Sequence, residues 1–276
     1  MENFYLISDR EKDLQFEAAG EIKRYLESHG KYAKIVSGSS HIEDKYGTDM
    51  VIVLGGDGSV IQAAKQFAGT GIPILGVNFG TLGFLTEVEK PKLTYAIEEI
   101  LSGRYEVEKR MALTGRVQKP SVGEAMGLAV NEFIIGKQDF GHMITTRVYV
   151  DEELLDTYVA DGILVSTPTG STAYNLSAAG PVLAPTMEAM IITPICPHSL
   201  NKRSLVVSSG SKLRIEVGKT KDNYQDEAAI RGDGQMLWTV STGDVIWIEK
   251  ATETFDMVRL GDVSFFDKMR SKLNRD

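Results

Sequence analysis

Five consecutive apolar residues, Met50-Val51-Ile52-Val53-Leu54, stop abruptly at Gly55-Gly56-Asp57-Gly58-Ser59. A short run that is apolar throughout and β-branched in its middle fits a strand buried on both faces of a parallel sheet. The flanking sequence has the matching rhythm. Residues 4–8 read as a strand, and Leu14, Ala18, Ile22 and Leu26 then recur every four residues, the stripe of an amphipathic helix ending near Gly30. Residues 32–36 and 73–77 read as further strands, residues 59–68 as a helix, and Leu93, Ala96, Ile97, Ile100 and Leu101 mark another. Strand and helix in alternation predict a doubly wound α/β layer.

Beyond residue 103 the pattern changes. Residues 105–117, 124–135, 143–150 and 154–160 read as successive strands, with Asp151-Glu152-Glu153 as a turn, followed by strands at 205–207, 213–217, 245–248 and 255–260. Residues 171–179 suit a short helix and residues 265–273 a terminal one. At 276 residues the chain can build two cores. The expected organisation is an α/β domain over 1–103, a mainly-β domain over 104–254, and a segment over 255–276 whose helix packs back on the first domain.

The formal net charge of −8 argues against nucleic acid or an anionic membrane as the main partner. It leaves room for one small anion held by backbone N–H groups. Cys196 is the single cysteine, so no intrachain disulfide forms, and His29, His41, His142 and His198 are too scattered to suggest a structural metal cluster. Charge appears at Glu2 and in the run Asp9-Arg10-Glu11-Lys12-Asp13, and no apolar run approaches the roughly 20 residues that span a bilayer. A cytoplasmic enzyme or binding protein is expected.

The glycine loop lies after a buried strand and before a helix, where open α/β sheets bind ligands. Glycines permit a tight turn and close approach of a phosphate, and the helix start offers free N–H groups. Gly55, Gly56, Gly58 and Ser59 thus form a candidate phosphate loop. Asp57 would repel a phosphate there unless it holds a cation or accepts a proton; the bland reading is an ordinary Gly-Asp-Gly turn. Ile61 stands where a dinucleotide fingerprint needs its third glycine, and no Gly-Lys-Ser/Thr follows as a Walker A loop requires.

Four further segments carry polar groups in unusual company. Residues 161–174 run from an apolar strand into Thr167-Pro168-Thr169-Gly170-Ser171-Thr172-Ala173-Tyr174, a turn rich in hydroxyls that could bond and stack on a purine. Taken singly, Ser171 or Thr172 reads first as a helix cap, and only the hydroxyls together make a binding surface. No Gly-x-Ser-x-Gly elbow or nearby histidine supports a serine nucleophile. Asn131-Glu132 interrupts an apolar stretch; buried, the pair needs partners, and a ribose diol would serve a carboxylate well. Asn78-Phe79-Gly80-Thr81-Leu82-Gly83-Phe84-Leu85 follows a strand and could wall the same crevice as the glycine loop, and Arg231-Gly232-Asp233-Gly234-Gln235 reads as a turn.

In this order, these segments resemble the NAD kinase family, over about residues 50–240. Diacylglycerol and sphingosine kinases and phosphofructokinases carry similar glycine loops; the segment from Thr167 to Tyr174 downstream of Asn131-Glu132 is the specific part. The resemblance implies NAD bound between two domains and Asp57 as proton acceptor beside Gly58. It implies that Asn131 and Glu132 hold the adenosine, that His142, Asp161, Thr172, Ala173, Tyr174, Asn175, Leu176, Ser177 and Gln235 line the rest of the NAD site, and that Phe84 walls it. It further implies a homodimer or homotetramer that uses ATP or polyphosphate with a divalent cation, Mg²⁺ being the natural one; no protein side chain is assigned as a ligand of that metal. Two departures stand out: Ser59 replaces a commoner threonine, and Val159 stands where many bacterial members have a basic residue. The rival readings are a diacylglycerol-type lipid kinase, disfavoured by the acidic charge, and a non-catalytic dinucleotide sensor, disfavoured by the intact Asp57.

Overall fold

Strand β1 (Asn3–Ser8) pairs in parallel with β2 (Tyr32–Ser37) on one side and β3 (Met50–Gly55) on the other, with Leu6 level with Ile35 and Ile52. The computed structural model describes residues 1–38, 40, 42, 45, 47–80, 83–119, 123–138, 142–219, 226–261 and 263–273. Every residue of β3 is buried, as its composition requires. Helix α1 (Glu17–Ser28) joins β1 to β2, and α2 (Asp57–Phe67) leads from β3 to β4 (Ile74–Asn78), which pairs with β3 in parallel. Strand β5 (Val88–Glu89) adds beside β4, and α3 (Leu93–Leu101) follows.

The start of α1 departs from expectation. Leu14 is 73% exposed, and the helix begins only at Glu17. Gln15 and Phe16 have φ of 56° and 57°, a break in helical geometry. The cause is Asp13, whose carboxylate accepts the N–H groups of Ala18 (2.9 Å) and Ala19 (3.1 Å) and the hydroxyl of Ser8 (2.7 Å). It satisfies helix-start donors from a distance and ties the helix to the end of β1.

The remaining strands are β6 (Glu106–Lys119), β7 (Gly123–Ala129), β8 (Glu132–Lys137), β9 (Ile144–Val150), β10 (Glu153–Ala160) and β11 (Gly162–Ser166). After the short helix α4 (Tyr174–Ser177) come β12 (Ala189–Ile195), β13 (Leu205–Ser208), β14 (Leu213–Val217), β15 (Glu227–Gly232), β16 (Gln235–Ser241) and β17 (Val245–Arg259). Helix α5 (Phe265–Leu273) closes the order.

The chain divides into two units, Met1–Arg110 with Thr254–Asp276, and Met111–Glu253. The junction falls at Arg110 rather than 103 because β6 starts in the first unit and continues into the second. In the first unit the parallel order is β2-β1-β3-β4, with the far end of β17 beside β4 through Met257 and Ile74. Its core includes Leu6, Leu26, Ile52, Leu54, Leu75 and Ile97. The second unit holds an antiparallel sheet in the order β13-β12-β11-β8-β15-β16, and a second antiparallel set β10-β9-β14-β17. Its core includes Leu113, Phe133, Ile163, Ile192, Ile215 and Ile246. Among the described residues no helix is long and apolar enough to cross a membrane.

Two readings of the β half need correction. Residues 124–135 are two strands, since β7 ends at Ala129 and β8 starts at Glu132 in a different sheet. Residues 245–260, expected as two strands, form the single strand β17 as far as Arg259.

Candidate active site

The first unit builds its site around Asp57. Gly56 is extended at the N-cap of α2 and Asp57 is the first helical residue, so its carboxylate sits among helix-start N–H groups. Those donors are not what holds it. The N–H of Phe84 donates to Oδ2 at 2.8 Å and that of Leu85 to Oδ1 at 3.0 Å. Each oxygen thus receives one backbone bond and keeps capacity for another, which fixes orientation while leaving the group open to a proton or a donor. Gly83 makes this approach possible, because a Cβ there would overlap the Asp57 carboxyl group. Parallel pairing sets Gly55 level with Asn78, and the N–H of Phe79 donates to the carbonyl of Gly55 at 2.9 Å. The segment after β4 is therefore the clamp on Asp57 as well as the neighbouring wall. Thr81 and Leu82 of that segment lie outside the described residues.

Gly58 and Ser59 face a cleft of about 470 Å³ that Asp9, Arg10, Glu11, Lys12, Ser37, Gly38 and Gln62 also line. The Lys12 amine lies where a Cβ on Gly56 would come within 2.8 Å of it, so the cation stands directly over the glycine loop. Sequence reasoning missed Arg10 and Lys12. They belong to a charged stretch that reads as solvated surface, and only the pairing of β1 with β3 brings them to the loop.

The second unit builds its site at the joint between β7 and β8. The carboxylate of Asp233 accepts the N–H groups of Val130 (3.0 Å), Asn131 (2.7 Å) and Glu132 (3.3 Å), and its own N–H donates to the carbonyl of Glu132 at 3.0 Å. Three consecutive N–H groups turned to one carboxylate cannot also extend a ladder, which is why the strand breaks there. Asp233 and Gly234 have φ of 49° and 77° and form the tight turn of the β15–β16 hairpin that presents this carboxylate.

Glu132 itself is buried at 5% exposure, and its Oε2 has no hydrogen-bond partner. Burial pushes its pKa up to about 8, with the Asp233 charge adding to the rise and the N–H of Tyr174 opposing it. At neutral pH the carboxyl is mostly protonated, a buried group with unspent hydrogen-bonding capacity. Thr169 Oγ1 is a second buried orphan in this unit. Buried polar atoms without partners are uncommon and point to a missing ligand or water.

The turn after β11 differs from its sequence reading. Its hydroxyls mainly face inward. Ser166 Oγ donates to the carbonyls of Asn131 and Thr167, Thr167 Oγ1 donates to Val130 O at 2.8 Å, and Ser171 Oγ donates to Pro168 O and accepts the N–H of Leu183. They fasten the turn to residues 130 and 131, and Gly170 packs so closely that a Cβ would collide with the Asn131 carbonyl. Asn175 is likewise fully buried; its amide donates to Ser171 O and Pro181 O, and its Oδ1 accepts from Thr193. Thr172, Ala173 and Leu176 are half-buried, and Tyr174 and Ser177 are exposed. Asp161 pairs with Lys137 at 2.6 Å, while Phe84, in the first unit, is half-buried and His142 and Gln235 are exposed.

The first unit thus offers a backbone-clamped carboxylate at a helix start, and beside its glycine loop a cleft lined by two cations and two carboxylates. The second offers a buried acid with an orphan oxygen beside a hydroxyl-braced turn. Residues 7–105 match the ATP-NAD kinase N-terminal domain and residues 130–260 the ATP-NAD kinase C-terminal domain. The NAD kinase of Lachnoclostridium phytofermentans is 38% identical over 283 residues, covering 99% of both chains. That of Caldanaerobacter subterraneus subsp. tengcongensis is 41% identical over 247 residues, 90% of this chain and 83% of that protein. An NAD kinase from Archaeoglobus fulgidus, solved in complex with ATP, is similar at a TM-score of 0.77 and 25% identity over 98% of each chain. Yeast NADH kinase, solved with NADH, shares the fold at a TM-score of 0.87 and 23% identity, over 100% of this chain and 89% of that one. The chain belongs to the ATP-NAD kinase family. Nothing in these likenesses supports the lipid-kinase or sensor readings.

Proposed function

We propose that this chain, as an NAD kinase, uses Asp57 to take the proton of the 2′-hydroxyl on the adenosine ribose of NAD while that oxygen attacks the γ-phosphorus of ATP. A new O–P bond forms to the ribose, the bond to the β-phosphate bridging oxygen breaks, and NADP and ADP leave. The reaction class is phosphoryl transfer to an alcohol. The observation that carries this reading is the clamp on Asp57: two backbone N–H groups aim its carboxylate without exhausting either oxygen. Phosphoryl transfer gains mostly from positioning and charge neutralisation. Gly58, Ser59, Arg10 and Lys12 are assigned to the donor's phosphates; they line one cleft, in which Asp9 and Glu11 also stand. Glu132 and Asn131 are assigned to the adenosine, with the orphan Oε2 of Glu132 taking a ribose hydroxyl. His142, Asp161, Gln235, Phe84 and the turn from Thr172 to Ser177 are assigned to the remainder of NAD. Asn175 contributes there through its fold, since its side chain is spent internally.

A divalent cation, Mg²⁺ by preference, fits here as cargo of the triphosphate. No group of three or more His, Cys, Asp or Glu side chains among the described residues could hold one, and Mg²⁺ is commonly held by substrate phosphates and water. Polyphosphate is a second candidate donor. Homodimeric or homotetrameric assembly and a cytoplasmic location complete the proposal. Light scattering on the purified protein reads the first, and fractionation of the source cells the second.

The test is Asp57→Asn, assayed by NADP formation coupled to an NADP-specific dehydrogenase. Loss of the base lowers kcat about 10²–10⁴-fold with NAD binding retained. Wild-type turnover in Asp57→Asn would refute the assignment. Running ATP, other nucleoside triphosphates and polyphosphate in parallel ranks the donors.

A further inference from the structure

Helix α5 reaches the same short segment that clamps Asp57. The Lys268 amine donates to the carbonyl of Thr86 at 2.7 Å and pairs with Glu87 Oε2 at 3.1 Å, with Lys268 only 1% exposed. Glu87 is further held by the guanidinium of Arg259 and by the N–H of Leu260 at 3.0 Å. Thr86 in turn accepts the N–H of Gly83 on its hydroxyl at 3.1 Å. The ring of Phe84 meets that of Phe265 at 6.2 Å, and the Lys272 amine lies 4.7 Å from the Phe84 ring centroid. So residues 83–87 are fastened on one side to α5 and on the other, through the N–H groups of Phe84 and Leu85, to the Asp57 carboxylate.

A buried lysine is an expensive way to pin a surface helix, because its charge must be desolvated. Apolar side chains would pack α5 at less cost. What a buried amine adds is directional: it fixes one carbonyl and one carboxylate at neighbouring residues of a loop that has no regular ladder of its own. We propose that Lys268 is a positioning residue for the reaction, holding residues 83–87 so that their N–H groups keep the Asp57 carboxylate aimed. This rests on Asp57 being the base, and it adds that the last helix of the chain sets the geometry of that base.

The variant Lys268→Met keeps the length of the side chain and removes the amine. In folded protein, checked by circular dichroism below its melting temperature, kcat falls roughly 10–100-fold while KM for NAD stays within about threefold, since only alignment at the reacting atom is lost. Hydrogen exchange at the amides of Phe84 and Leu85 speeds up relative to those of β1 and β3. In an Asp57→Asn background the same change lowers the residual rate by no more than about threefold, because the group it positions is already gone. A merely structural role would lower both backgrounds alike. Should Lys268→Met not fold, Ser264→Ala loosens α5 from its exposed end, where Ser264 and Asp267 cap each other, and lowers kcat about 3–10-fold with KM unchanged. Wild-type kcat in the folded variants, or equal losses in both backgrounds, overturns the proposal. If Asp57→Asn itself retains wild-type turnover, the base assignment fails, a result readable apart from the Lys268 effect.

Discussion

Two carboxyl groups in two units are buried or clamped by opposite means. Asp57 in the first unit receives a backbone N–H on each oxygen, so its position is set by main chain before any ligand arrives. Glu132 in the second unit is enclosed by protein, yet its Oε2 has no partner. The backbone beneath Glu132 is the rigid part, because Asp233 ties three N–H groups in a row. The difference suits the roles proposed for the two groups. A base that must meet one hydroxyl at one angle gains from preorganisation. A binding group that must accept a ligand's hydroxyl gains from being left hungry, since an unsatisfied buried group rewards the ligand that completes it.

The largest effect is expected at Gly83. An alanine there places a methyl group in the Asp57 carboxyl, so residues 83–85 or the carboxylate must move. Activity is expected to fall by about 100-fold or more, a size that misplacement near the reacting atoms can produce. Folding stability should drop by about 1–3 kcal/mol from overpacking. Adding Asp57→Ala should recover much of the stability and none of the activity, measurable by urea unfolding and the coupled assay. If Gly83→Ala is fully active, the clamp is not what aims the base.

Glu132 is tested through protons. With a pKa near 8 it is mostly protonated at pH 7 in the free protein, whereas a ribose hydroxyl donating to it favours the ionised form. NAD binding at pH 7 should therefore release up to about one proton, and affinity should rise by up to about tenfold per pH unit on approaching pH 8, then level. Calorimetry in buffers of different ionisation enthalpy reads the release directly. Binding that is pH-independent between 6 and 8 would mean that the orphan oxygen does not meet a NAD hydroxyl.

The same group gives a stability signature with a definite sign. Its folded pKa lies above the ordinary value of 4.5, so the folded state holds a proton that the unfolded chain has released. Stability from this source is fully present below about pH 4.5 and is lost as pH rises through about 8, at up to about 1.4 kcal/mol per pH unit. Glu132→Gln lacks the titration. Its stability relative to wild type should grow between pH 5 and 8 by a few kcal/mol and then level, while its NAD affinity falls. A constant difference across that range would show that Glu132 ionises normally.

How much of this could be read from the chain follows from distance along it. The buried β3 and the loop after it were legible because strand, turn and helix start are contiguous. The Asn131-Glu132 pair was visible as polar residues in an apolar stretch, but the strand break there was not. It depends on Asp233, about a hundred positions away, while the local alternation runs on undisturbed. Nothing local marks Gly83 within the segment from Asn78 to Leu85, because its constraint is the carboxylate of Asp57. The hydroxyls of the turn after β11 were visible and their direction was not, since Ser166 and Thr167 bond to carbonyls of residues 130 and 131. Strand β12 is concealed in the sequence partly by Pro194, which argues against a central strand. That proline is tolerated because β13 pairs only as far as Ile192, so no neighbour on that side asks for its missing N–H.

The smallest expected effect comes from a third carboxylate that serves as a control. Asp13 is as well satisfied as Asp57, taking the N–H groups of Ala18 and Ala19 and the hydroxyl of Ser8, and it is 3% exposed. Unlike Asp57 it has no glycine pressed against it, and its partners belong to a helix start and a strand end. Its bonds therefore stabilise the first unit without aiming a reacting group. Asp13→Asn keeps one oxygen and should cost about 1–2 kcal/mol, the range for a lost helix cap, with kcat within about twofold of wild type. If instead kcat fell as far as in Gly83→Ala at equal foldedness, backbone-bonded carboxylates in this unit would act on the reaction generally. The special standing of Asp57 would then rest on its place at the glycine loop and no longer on how it is held.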